Sequence, residues 1–134
     1  MMAEQENWQE MYTQFQHLQE QIERITEHAE LLNQRHAELD ISINAMQELG
    51  KTELETEILS PIANGIFLKS ALKDNKTLIV NVGADTTVER TIDEVVDLLE
   101  KQKKEIAANI VEAEEVLHEL HSQAQKIYNV IENK

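Results

Sequence analysis

Cysteine is absent from this 134-residue chain, and glycine and proline are almost so, at three residues and one. Without cysteine there is no disulfide framework and no thiolate metal site, and nothing points to a secreted protein. No apolar run approaches the roughly 18 residues of a membrane span, and the acidic, polar N-terminus is unlike a signal peptide. A cytoplasmic protein is expected. Basic side chains are also scarce, 12 against 26 acidic, and the resulting formal charge of −14 repels phosphate backbones. Neither nucleic acid nor membrane is an expected partner. Aromatic residues are one Trp, two Tyr and two Phe, too few for an ordinary globular core of this length.

The few chain breakers are gathered in one block. Gly50, Pro61, Gly65 and Gly83 all fall between residues 50 and 91. Within it Ile66-Phe67-Leu68, Leu72 and Leu78-Ile79-Val80-Asn81-Val82 form aliphatic, often β-branched runs that fit a pleated, half-buried surface. Asn64-Gly65 between apolar runs is a strong hairpin signal, because both residues tolerate positive φ. Asp74-Asn75-Lys76 supplies a second turn and Gly83-Ala84-Asp85 a third. Four short strands, at about 55–62, 66–73, 77–82 and 86–90, are expected as two consecutive hairpins.

On either side of this block the spacing predicts a long helix. From residue 4 to residue 49, Trp8, Met11, Phe15, Leu18, Ile22, Ile25, Ala29, Leu32, His36, Leu39, Ile43 and Met46 follow one another by alternating steps of three and four. That is the seam of a coiled coil, with His36 its one polar member. Gly50 stands where a left-handed C-terminal residue would close the helix. After the strands, Thr91-Ile92-Asp93-Glu94 reads as a capping box, in which Thr91 accepts from the Glu94 backbone and the Glu94 carboxylate reaches back. The second helix, over 92–132, repeats the seam with Val96, Leu99, Lys103, Ile106, Ile110, Ala113, Leu117, Leu120, Ala124, Ile127 and Ile131.

Neither stripe can stay exposed, and the nearest partner of each helix is the other. Antiparallel pairing in which Gly50 stands opposite Ile92, Leu32 opposite Ile110, Ala29 opposite Ala113, Ile25 opposite Leu117 and Trp8 opposite Lys134 lets both helices start and finish together. The expected fold is mainly α with a small β insert. It is a single domain of residues 1–134: a long antiparallel coiled-coil hairpin with two β-hairpins at its inner end. Four short strands cannot make a stable core alone, and their open edges invite pairing. The faces Ile66/Leu68/Leu72 and Leu78/Val80/Val82 therefore need cover, most simply strands from other subunits, so oligomerisation through the strands is expected.

The segments Pro61-Ile62-Ala63-Asn64-Gly65-Ile66-Phe67-Leu68-Lys69-Ser70-Ala71-Leu72, Leu78-Ile79-Val80-Asn81-Val82-Gly83-Ala84 and Val88-Glu89-Arg90-Thr91 resemble the archaeal-type α-class subunits of the prefoldin family. The chain departs from that pattern at Ala63-Asn64-Gly65, where the family has a glycine-richer turn. The resemblance implies an ATP-independent chaperone built as a hexamer of two α and four β subunits. It implies a β-barrel platform carrying six coiled-coil tentacles, unfolded client proteins held between their tips, and delivery of those clients to a group II chaperonin.

Four of the five aromatics, Trp8, Tyr12, Phe15 and Tyr128, lie at the end where the two chain termini meet. Phe15 is a seam residue and reads first as core. Tyr12 and Tyr128 fall at flanking positions that the seam does not need, as does Val130. With Met11, Ile127 and Ile131, which fraying would uncover, they form the candidate client-binding tip, against the alternative of simple end-packing. Leu31, Ile41, Val111 and Val116 are off-seam too, so stray apolar residues are not confined to the tip. His118 and His121, with Glu114 and Glu115 a turn earlier, lack the third fixed ligand of a zinc site and read as a solvated helix face. No catalytic constellation and no glycine-rich phosphate cradle occur, so neither an enzyme nor a cofactor is expected. The excess acid fits keeping sticky tips soluble, a generic acidic coiled coil, or adaptation to a salty cytoplasm. The competing functional reading is a structural scaffold or tether of a prefoldin-like complex, with the coiled coils serving as spacers.

Overall fold

The computed structural model describes the backbone of residues 2–133 and the side chains of residues 4–133. Helix α1 runs Met2–Lys51, strands β1 to β4 run Glu57–Ala63, Ile66–Ala71, Thr77–Gly83 and Thr86–Thr91, and helix α2 runs Ile92–Glu132. β1 pairs with β2 and β3 with β4, both antiparallel, as two separate two-stranded sheets. The chain divides into two compact units, one of residues 1–36 with 105–134 and one of residues 37–104.

The first unit is helical throughout. Every seam residue from Trp8 to His36 and from Ile106 to Ile131 is buried or half-buried, while the positions between them face solvent except Gln21, Ala107 and Ser122, which are half-buried. Its core is Ala29, Leu32 and Ala113, with Ile25, Ile106, Ile110 and Leu117 packed against it. Ala29 and Ala113 fall in one cluster, and methyl-sized side chains in a helix seam allow close backbone approach. The larger aliphatic neighbours fill the layers on either side, each contributing about 1.5–3 kcal/mol when fully covered. The pairing of Trp8 with Lys134 lies outside the described residues.

The second unit joins the remaining turns of both helices to the strands. Its buried residues are Ile43, Leu72, Ile92 and Val95. Lys103, the polar member of the α2 seam, forms an ion pair with Asp40 of α1 at 2.5 Å. The Asp40 carboxylate favours the charged ammonium and raises the Lys103 pKa, outweighing partial desolvation. Only the aliphatic stem of Lys103 occupies the seam, while its head reaches the rim.

Helix α1 does not end on Gly50 as a left-handed residue. The helix passes through Gly50 to Lys51, and Gly65 and Gly83 are the glycines with positive φ. The left-handed residue after the helix is Glu55, with φ 70°. A Cβ on Gly50 would lie 3.7 Å from Ile92 Cδ1, so the Gly50–Ile92 layer is formed. At α2 only half of the capping box forms. The Glu94 N–H donates to Thr91 Oγ1 at 3.1 Å, while the Glu94 carboxylate lies 3.8 Å from Arg90 Nε.

The hairpins are rooted by one backbone bond and one side-chain bond. The Ile92 N–H donates to the Lys76 carbonyl at 2.9 Å, and Asn75 Nδ2 to the Thr52 carbonyl at 2.9 Å. In the turn between the hairpins, Asp74 accepts from the Lys76 and Thr77 backbone N–H groups and from the Thr77 hydroxyl. These bonds hold the carboxylate below its usual pKa.

Both hairpins carry the same irregularity. Pro61 pairs with Phe67 and Ala63 with Ile66, leaving Ile62 bulged; Asn81 pairs with Thr87 and Gly83 with Thr86, leaving Val82 bulged. A bulge adds twist and frees its residue from the ladder. The first turn uses positive φ at Gly65 alone, whereas the second places Ala84 (φ 49°) and Asp85 (φ 60°) in the left-handed region. Two consecutive positive φ values are the requirement of a type I′ turn, which suits tight hairpins.

Candidate functional site: two exposed apolar surfaces

A chain of 15.4 kDa that completes its own core exposes about 7,200 Å². This chain exposes 10607 Å², and no described side chain is fully buried. The excess includes apolar surface concentrated on the strands. Leu59, Ile62, Ile66, Phe67, Leu68, Ile79 and Val82 are each more than half exposed. Scattered single apolar residues are ordinary on a surface, but seven on two hairpins form a sizeable exposed apolar surface.

The strand residues expected at an interface divide into two groups. Ile66, Leu68 and Val82 are open. Leu78 and Val80 are half-buried, and Val80 lines a groove with Arg90 of β4 and with Val95, Leu98 and Lys101 on the start of α2. That face of β3 is thus partly covered by the chain's own helix. Leu72 differs from both groups. It lies beyond β2, is buried, and makes two backbone bonds, its N–H to the Thr56 carbonyl and its carbonyl from the Glu55 N–H. Leu59, Ile62, Phe67 and Ile79 are open as well and were not among the residues expected to be so. Ile62 is a bulge residue, while Leu59 and Phe67 lie on the opposite pleat face from Leu68. Strand periodicity alone shows two faces and does not say which one a helix covers.

The second surface lies at the terminal end of the first unit. Phe15 and Tyr128 meet with ring centroids 6.1 Å apart and planes tilted by 33°. They line an open groove with Gln19, Ile22, Glu23, His121, Ala124 and Gln125. Tyr12, Tyr128 and Val130 are 52%, 45% and 53% exposed, whereas Trp8, Met11, Phe15, Ile127 and Ile131 are half-buried. The exposed aromatics at flanking positions are therefore available, and the seam residues are partly covered by their partners. His118 and His121 are both solvent-facing. Among the described residues, no helix is long and apolar enough to cross a membrane.

Two long helices, two small hairpins between them and open apolar strand faces define a coiled-coil subunit that completes its core by assembling with others. The chain belongs to the prefoldin family of chaperone subunits: the family model described as Prefoldin subunit matches residues 5–134. It is 37% identical over 115 residues to prefoldin subunit alpha of Pyrococcus horikoshii, covering 85% of this chain and 78% of that protein. It is 32% identical over 123 residues to prefoldin subunit alpha of Methanopyrus kandleri, covering 87% and 78%. Its fold is similar to that in the cryo-EM structure of filamentous PFD from Methanocaldococcus jannaschii. The TM-score is 0.73 and the identity 18%, over 85% of this chain and 94% of that one. Membership of the family implies assembly with other prefoldin subunits.

Proposed function

We propose that this chain is the α subunit of a hexamer of two α and four β subunits, in which its four strands complete a shared β-barrel platform. Ile66, Leu68 and Val82, joined by Leu59, Ile62, Phe67 and Ile79, form the subunit contacts. The paired helices are the tentacle, and Trp8, Met11, Tyr12, Phe15, Ile127, Tyr128 and Ile131 form the client-binding tip. The assembled complex holds unfolded proteins in the cytoplasm without ATP and passes them to a group II chaperonin.

The observation that carries this reading is the coexistence of two separate apolar surfaces on one chain. The strand surface is large and aliphatic, as permanent interfaces are. The tip surface is small, aromatic and partly open, which suits brief contact with many different unfolded chains. Aggregation of a chemically unfolded test protein, diluted with and without the assembled complex, tests the reading. Suppression without nucleotide supports a holding chaperone, and no suppression by an intact complex supports the scaffold reading.

A further inference from the structure

The acid of this chain is not spread evenly. Over residues 4–23 of α1, Glu4, Glu6, Glu10, Glu20 and Glu23 face solvent with no lysine or arginine among them. Over residues 112–133 of α2, Glu112, Glu114, Glu115, Glu119 and Glu132 face solvent against Lys126 alone. The strand block is different: over residues 52–91, Lys69, Lys73, Lys76 and Arg90 nearly balance Glu53, Glu55, Glu57, Asp74, Asp85 and Glu89. A coat of acid serving only solubility would have no reason to spare the strands. Over these two ranges ten carboxylates stand against Lys126, with Arg24 and Lys134 next to the ranges in the chain, so acid remains in large excess around the groove of Phe15, Ile22, Ala124 and Tyr128.

Resting on the reading of the tip as the client site, we propose that it selects by charge: its preferred partner is an extended segment in which apolar or aromatic residues alternate with lysine and arginine. The apolar side chains enter the groove, and the cations meet the glutamates on its rim. Glu23 lines the groove itself. Glu114 stands one heptad before His121, and Glu132 one heptad after Gln125, so both share the helix edge of groove-lining residues. A single-sign field of this density steers oppositely charged chains toward the groove and repels acidic ones, and salt screens it over about 8–10 Å at physiological strength. The selectivity is therefore a matter of sign and salt, whereas the groove supplies apolar contact to any client. A client's cations can also reach a carboxylate across the rim without burying it, so no desolvation cost opposes the attraction.

Two fluorescent peptides with the same apolar core, one flanked by lysines and one by glutamates, test this by anisotropy against the assembled complex. The lysine peptide is expected to bind about tenfold more tightly at about 0.05 M salt, with the difference falling to about twofold at 0.5 M. Replacing Glu23, Glu114 and Glu132 together by Gln should reduce that preference without weakening the glutamate peptide. Equal binding of the two peptides at low salt, with both weakened by Tyr12→Ser and Tyr128→Ser, would overturn the charge inference and leave the tip intact as the client site. If neither peptide responds to the tyrosine replacements, the client site is elsewhere and both readings fall.

Discussion

Gly50 of α1 faces Ile92 at the first turn of α2, where a methyl group added to the glycine would stand 3.7 Å from Ile92 Cδ1. That distance is an ordinary van der Waals contact, so the position has room for a side chain. Gly50 is helical, and its φ is not in the left-handed region. Gly50→Ala should therefore stabilise the chain by about 0.5–1 kcal/mol, because alanine loses less backbone entropy on entering a helix. Urea unfolding of the assembled protein checks this; a destabilised variant would show that the layer is tighter than described.

The second hairpin turn holds the opposite situation. Ala84 sits at φ 49°, where a Cβ is strained and glycine or asparagine is at ease. Ala84→Gly should raise stability by a few tenths to about 1 kcal/mol, the relief of strain exceeding glycine's larger unfolded-state entropy. Thermal unfolding at constant protein concentration is the measurement.

Asp74 gives a pH dependence. Its carboxyl is held below the ordinary range by bonds from Thr77 and Lys76, so its charged form is favoured in the folded chain. A depressed folded pKa contributes stability that is present above the ordinary carboxylate range and is lost as pH falls through the folded value. Asp74→Ala should therefore be less stable than the parent at neutral pH, and the two should converge in acid. A stability difference that does not change with pH would contradict this account of the turn.

Phe67 and Ile79 are 56% and 65% exposed in the single chain, so neither is needed for its own packing. Changing both to Asp should leave the helical content unchanged while breaking the assembly. Two carboxylates buried without partners in a strand interface cost on the order of several kcal/mol. Light scattering coupled to sizing measures the result, and an assembly of unchanged mass would remove these residues from the interface.

The helical seams were readable from the sequence because burial there follows directly from spacing. Every seam residue, down to His36 and Lys103, is at least half-buried. The hairpins were readable as elements, since Asn64-Gly65 and Gly83-Ala84-Asp85 are turn chemistry. Which strand face stays open was not. A pleat shows two faces, and the choice depends on how α2 runs beneath β3, which leaves Val80 half-buried and Ile79 open. Bulges at Ile62 and Val82 shift the alternation within a strand, and nothing in local composition marks them. Gly50 also misled: a glycine near a helix end signals a left-handed cap, but the helix runs on through it to Lys51. At the tip, Tyr12 and Tyr128 stood out because they are apolar at positions that the seam does not use. The contact of Phe15 with Tyr128 required the structure.

The central claim is that clients are held by the aromatic tip, while the seam only holds the tip in place. Trp8, Tyr12 and Tyr128 should matter little to folding, because the end of a coiled coil frays at low cost. They should matter to capture, because the exposed rings of Tyr12 and Tyr128, with the half-buried Trp8 beside the fraying end, offer large apolar area with few rotamers to immobilise. The most direct measurement is protection of an aggregating protein by the assembled complex carrying Trp8→Ser, Tyr12→Ser and Tyr128→Ser together. The account predicts an intact assembly, unfolding within about 1 kcal/mol of the parent, and client holding weakened about tenfold or more. Protection equal to that of the parent, from an assembly of the same mass and stability, would contradict it.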